Sequence, residues 1–353
     1  MSATPNPTNP PSNPPSAPPS TPVSLQDYQS TLREEQLQLQ ETQDRLKILQ
    51  LSSAPQSRAA SPAVSDSVSS ATEASGKKDP WVTTATQLGK QFSMTGQPWP
   101  PPFADIHGER PPFSPLDPVR YTTPGNVALG TRAEIWSLLP TKEHEGMVQS
   151  GYPKWITAFS QGMSQQRNAA VSSLKSVAHL IYSDYSDDFF SRNDTTPREA
   201  PAIQALLGAQ PGNDDKLHLL LPPLIYPNHS VRRNHQFRAL GMMKLTKVTL
   251  FGPTSIKSNS LPTKKTVGQI WGLKTTPPGL IAFTAIFARF LFSCDREFRQ
   301  TGALSRITYE ADFHAYKRLI ISTIDNEHTK KTLCGILISS APNHKLVPIL
   351  LYR

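Results

Sequence analysis

Cysteine is almost absent: the 353 residues contain two, Cys294 and Cys334. That excludes a disulfide-stapled secreted scaffold, favours a reducing compartment and leaves no cysteine pair of the kind that holds a cofactor. Charged residues make up 18% of the chain and apolar residues 37%, against usual globular shares of about 25% and about 45–50%. A sizeable disordered fraction is the expected consequence. Residues 1–22 hold no basic side chain and no apolar stretch, so neither a secretory leader nor an Arg-rich transit peptide is expected there. The longest apolar run, 279–294, is interrupted by Arg289 and falls short of the ~20 residues that span a bilayer. It is expected to be a buried core helix, with no membrane as partner. An intracellular location follows, cytoplasmic or nuclear, because Arg232-Arg233 and Lys264-Lys265 are only pairs of basic residues.

Chemical motifs are missing too. No Gly-x-Ser-x-Gly elbow, G-x-x-x-x-G-K-[ST] loop or G-x-G-x-x-G turn occurs, so nucleophilic and phosphate-cradle chemistry have no anchor. His229 and His235 stand six apart with arginines between them, an environment that repels a cation. Asp184, Asp187 and Asp188 would serve a two-metal site only if the fold brought Glu297 or Glu310 to them; a solvated acidic loop accounts for them more simply. No catalytic residue, metal, cofactor or small-molecule ligand is expected.

Proline is what the first third has in abundance. Residues 1–22 form a disordered tract of Pro, Ser, Thr and Asn. Residues 23–51 break from it: Leu25, Tyr28, Leu32, Leu39, Leu46 and Leu49 recur at alternating steps of three and four, with Glu35 and Thr42 completing the seam. Ser24 followed by Asp27 is a helix-start signal. A coiled-coil-like helix over this stretch would bury its stripe against a second copy or a protein partner; a lone amphipathic helix is the simpler alternative. Residues 52–80 read as a disordered Ser/Ala/Pro linker. Residues 81–130 alternate prolines with aromatics and are expected to be an extended arm anchored by Trp99, Phe103 and Phe113.

From 131 to 353 the apolar period is mostly helical. Trp155, Ile156 and Phe159 mark one helix; Ala170, Val171, Leu174, Val177, Ala178 and Ile181 mark another. Further helices are expected near 199–207, 234–246, 277–293, 310–323 and 329–338, with short strands at 248–251 and 346–351. Thr276-Pro277-Pro278 is a credible entry to the apolar helix, since proline suits the first helical turn. The predicted class is mainly α: a single multi-helix globular domain with few short strands, preceded by a disordered arm that contains the coiled-coil-like helix.

The net charge of +9 is uneven. Between Asp215 and Asp295 there is no acidic residue, while that stretch holds 11 of the 36 lysines and arginines. Arg232, Arg233, Arg238, Lys244, Lys247, Lys264 and Lys265 are the candidate contacts to nucleic acid or another polyanion. Ordinary solvated surface, or pairing with Asp184, Asp187, Asp188, Glu310 or Asp312, is the plainer reading of the same residues.

The segment 271–320 resembles an uncharacterised domain family of mushroom-forming basidiomycete fungi. The resemblance is carried by Trp271, Gly272, Thr276, Pro278, Gly279, Ser293, Asp295, Glu297, Phe298, Gly302, Ser305, Ile307, Tyr309, Asp312, Phe313 and Tyr316. Pro277 is an extra proline relative to that pattern. With the weaker likeness at 222–225 and 167–182, it spans roughly 130–325. The family has no assigned activity, so the resemblance implies a fungal origin and a domain extent but no chemistry. In physical terms Asp295 is expected to cap the turn leading to Phe298. Together these readings point to a non-enzymatic interaction or scaffold protein, with a nucleic-acid-binding domain of mobile-element descent as the alternative.

Overall fold

The computed structural model describes residues 80–144, 153–191, 193–210, 218–232, 235–257, 265–273 and 275–324. Leu25, Tyr28, Leu32, Leu39, Leu46 and Leu49 lie outside them, as do Arg233, Lys264, Cys334 and the segments 329–338 and 346–351. Eleven α-helices occur among the described residues: α1 (Pro80–Thr95), α2 (Phe103–Ile106), α3 (Pro124–Leu138), α4 (Pro153–Lys175), α5 (Ala178–Ile181), α6 (Pro201–Leu206), α7 (Leu240–Phe251), α8 (Thr254–Lys257), α9 (Val267–Ile270), α10 (Pro278–Phe292) and α11 (Tyr309–Ile324). Several 3-10 turns lie between them. The mainly α class holds.

The core is organised by α10. Its apolar residues run all round the helix rather than along one stripe, and such a helix must be enclosed on every side. Every residue from Gly279 to Phe292 is buried, and α11, α7, α1 and the 3-10 turn Pro223–Ile225 pack around it. At roughly 1.5–3 kcal/mol per fully buried Leu, Ile or Phe, this enclosure is a leading source of stability. Helix entry is as expected: Pro277 is the N-cap and Pro278 the first helical residue.

The short strand expected at 248–251 is a correction, because α7 continues through Phe251. Leu245, Val248 and Leu250 are buried there, and the Thr246 and Thr249 hydroxyls bond back to the carbonyls of Met242 and Leu245. Tertiary packing outweighs the β preference of Val and Thr, a preference worth at most ~1 kcal/mol. The single β-type pairing among the described residues is an isolated bridge between Ala209 and His218.

The extended arm is corrected at both ends. α1 occupies its first part, because its prolines begin only at Pro98 and the stretch before them carries Ala85, Leu88 and Phe92 at helical spacing. α3 starts inside the last part, where Thr123 accepts the Asn126 N–H and Pro124 fits the first turn. Between them the chain is mostly irregular. Trp99 anchors it, buried against the Phe298 ring at 5.4 Å; Phe113 is half-buried and Phe103 is exposed, stacked on His107. The two helices expected around Trp155 and Ala170 are one 23-residue helix, α4, and Ile181 belongs to the separate α5 beyond a break at Val177.

A second apolar cluster joins α1, α3 and α4 through Phe92, Ile135, Trp155, Phe159 and Met163. Here α1 and α4 touch backbone to backbone. A Cβ on Gly89 would stand 2.0 Å from the Phe159 carbonyl oxygen, and one on Gly162 would stand 2.2 Å from that of Thr86. Glycine is required because a methyl group would force the helices apart. Gly162→Ala is therefore expected to lower the urea midpoint by an amount equivalent to about 1–3 kcal/mol, despite alanine's better helix propensity. Gly125→Ala, at an exposed site in the first turn of α3 with its nearest neighbour at 3.9 Å, should leave the midpoint unchanged or raised.

Candidate functional site

The acid-free stretch supplies a loop and the four helices α7 to α10. The loop leaves the 3-10 turn at Ile225 and returns where the Ala239 N–H donates to the Ile225 carbonyl at 3.4 Å. Its two ends therefore meet, as in an Ω-loop. Tyr226 and Phe237 are buried at its base, while Val231 and Arg232 are exposed and Leu240, just past the closure, is 61% exposed. Asn228, His229 and Phe237 have positive φ of 50°, 57° and 62°, a region costly for a bulky side chain such as phenylalanine.

What holds Phe237 there is the α11 face. Its ring meets Tyr316 edge-on at 5.4 Å. The Tyr316 hydroxyl donates to the Leu220 carbonyl and accepts from Arg289 at 3.1 Å. Burial pushes the Tyr316 phenol up, so it remains a donor. Arg289 also pairs with Asp312; burial raises that carboxyl, against the pull of the guanidinium. The charge inside α10 thus braces the loop through one tyrosine.

The sequence-predicted basic residues among the described ones, Arg232, Arg238, Lys244, Lys247 and Lys265, differ in exposure. Arg232 and Lys265 are exposed, on the loop and just before α9. Arg238 and Lys247 are half-buried, and desolvation lowers the pKa of both. Lys244 is spent internally: its ammonium donates to the Ile181 carbonyl at 3.1 Å, at the end of α5. Arg232 and Arg238 share the loop; Lys244 and Lys247 lie three apart on α7, hence on neighbouring positions of its surface.

The carboxylates are likewise dispersed. Asp184 and Asp188 line a shallow depression with Asp194, Tyr185 and Phe189. Glu297 pairs with Arg299 and Glu310 accepts from Gln300. Among the described residues no group of three or more His, Cys, Asp or Glu could hold a metal ion. Asp295 is buried and caps the turn at Leu304 and Ser305. It accepts from the Leu304 and Ser305 N–H groups at 2.8 and 3.0 Å, from the Tyr309 hydroxyl at 2.7 Å and from the Ser305 hydroxyl. Burial works to raise this carboxyl, and these hydrogen bonds outweigh it to hold it below its ordinary value. Gly302 is needed beside it, because a Cβ there would lie 2.1 Å from the carboxylate.

The carboxylate that holds two buried cations is one that sequence reasoning missed. Glu134, buried on α3, takes Arg120 at 2.7 Å and Lys317 at 2.6 and 2.7 Å, while Lys317 also donates to the Gly96 carbonyl at 2.8 Å. Arg120 reaches the Pro115 carbonyl as well. One carboxylate therefore joins α3 to α11, and its partners reach the end of α1 and the irregular segment. The available signal was a charged residue on an otherwise apolar face: Lys317 follows Phe313 by four and precedes Ile320 by three. Burial lowers Lys317 to about 8, against the attraction of Glu134.

A family model described as a family of unknown function (DUF6698) matches residues 199–335. The match takes in the loop, α7, α10 and α11, and it supports an uncharacterised domain over that span. Lys317 lies inside the match; Glu134 and Arg120 lie before it. No curated protein and no solved structure matches the chain. No helix among the described residues is long and apolar enough to cross a membrane.

His314 on α11 gives the buried network a pH dependence. Burial and the positive charges of Lys317 and Arg120 lower its pKa to about 4, with Glu134 pulling the other way. Between that value and the ordinary ~6.5 of the unfolded chain, only the unfolded chain takes up the proton, so this histidine costs stability as pH falls through the window. Urea unfolding at successive pH values is expected to show His314→Asn losing about 2–3 kcal/mol less than the wild type between neutral pH and about 4.

Proposed function

We propose that the chain is a non-enzymatic interaction protein. The observation that carries this reading is the loop between Ile225 and Ala239, which presents exposed Val231 and Arg232 from a braced base. The reading is also supported by how the buried polar groups are used. Glu134, Asp295 and Arg289 are engaged in joining backbone segments to one another.

A second contact element is the stretch 24–51, with its seam of Leu25, Tyr28, Leu32, Leu39, Leu46 and Leu49. It recruits a protein partner or a second copy of the chain. Light scattering on protein with and without residues 1–55 tests the self-association arm. A smaller particle after truncation is expected beyond the loss of its own mass; an identical oligomeric state overturns that arm.

Polyanion binding is the second reading, supported by the absence of acid between Asp215 and Asp295 and by the exposure of Arg232, Lys257 and Lys265. Its test is the anisotropy of a labelled duplex titrated at low and at physiological salt. Log affinity should fall with log salt by about 0.9 for each phosphate neutralised; binding indifferent to salt, or none at low salt, ends it.

A further inference from the structure

We infer that the short ridge from Pro100 to Phe103 is a ligand for a partner domain whose aromatic-lined groove reads polyproline II. The inference rests on the interaction-protein reading and adds a surface separate from the loop. Proline fixes φ near −65°, and a residue that precedes proline is kept out of the helical region. Pro100, Pro101 and Pro102 follow one another, and Pro102 itself has φ −52° and ψ 148°, so all three adopt polyproline II geometry up to the start of α2. Such a helix has three residues per turn. Pro100 and Phe103 therefore share one edge, while Pro101 and Pro102 occupy the other two. Pro101 is buried, whereas Pro100 and Pro102 are exposed and Phe103 is 54% exposed. One edge is laid on the body and two are offered outward.

The ridge is held at its root. Trp99 packs on Phe298, the Gln97 side-chain amide donates to the Trp99 carbonyl at 3.0 Å, and Arg167 donates to the Pro98 carbonyl at 3.1 Å. Little conformational freedom is left to lose on binding. The chemistry then narrows the partner. Proline has no N–H, so the ridge does not extend the edge of a partner's sheet, and its geometry is not that of a helix in a groove. It offers pyrrolidine rings, one phenyl ring and the Pro100 carbonyl, which accepts no hydrogen bond among the described residues. Slots between Tyr and Trp rings take the pyrrolidines, and an indole N–H or a phenol O–H donates to that carbonyl. From Gln91 to Glu109 the chain has no lysine or arginine, so the fitting groove is one that asks for no flanking basic residue.

Biolayer interferometry of the full chain against a panel of purified SH3, WW and EVH1 domains tests this. At least one domain should bind, and the Pro100→Ala, Phe103→Ser double variant should weaken that binding about tenfold or more. Pro102→Ala, which keeps Phe103 and its stacking on His107, should also weaken it. Pro112→Ala, at an exposed proline outside the ridge, should leave it unchanged. All of these positions are exposed, and unchanged circular dichroism and melting verify the fold. No binding by any domain overturns the inference and leaves the loop between Ile225 and Ala239 standing as a contact surface. Binding that survives both ridge variants, as it would if the proline tract of residues 1–22 carried it, overturns this site but not the interaction-protein reading. Self-association by light scattering that is lost in the ridge variants, with no domain competing, overturns the partner in favour of a second copy.

Discussion

The fold is arranged around a helix that water must not reach. α10 is apolar on all sides, so no orientation leaves one face in solvent, and the other helices are obliged to surround it. Arg289 is the single charge in that helix, and an unpaired guanidinium in such a place would be prohibitive. Its pairing with Asp312 and Tyr316 fixes where α11 lies against α10. Tyr316 in turn fixes Leu220 and Phe237, and with them the base of the exposed loop. The proposed contact surface is therefore a consequence of how the core neutralises one buried charge.

Around this centre, two kinds of contact hold the earlier helices. Gly89 and Gly162 let α1 and α4 meet at backbone distance, and Gly279 lets the start of α10 abut the end of α1, where a Cβ would lie 2.1 Å from the Thr95 carbonyl. Glu134 adds a polar bond between α3 and α11 through Lys317. Such a cluster is costly to desolvate, and removing one partner leaves a stranded charge, typically a loss of ~3–5 kcal/mol. It serves register more than raw stability: Lys317 reaches both Glu134 and the Gly96 carbonyl, so the position of α11 is set against two elements at once.

Much of the helical architecture was legible because it depends on local pattern. The entry at Pro277-Pro278, the burial of 279–292 and the amphipathic α11 follow from proline chemistry and apolar period. The errors have physical causes. α1 was hidden because proline content was averaged over a segment, 81–130, whose first sixteen residues contain no proline. The strand expected at 248–251 followed the β preference of Val and Thr, which burial on α7 overrides. Which of the basic residues face solvent was not legible, since Lys244 donates to the end of α5; charge counted along a chain says nothing about which ammonium finds a carbonyl.

The sequence by itself determined the helical class, the enclosed helix and the acid-free stretch, since each is a property of residues near one another along the chain. Only the tertiary structure decided which positive charges face solvent, that Glu134 joins residues as far apart as Arg120 and Lys317, and that Val231 and Arg232 are exposed on a loop with a braced base. Lys317 and Glu134 are 183 positions apart. A buried charge takes whichever partner the packing brings within reach, and no period or spacing in the chain encodes that meeting.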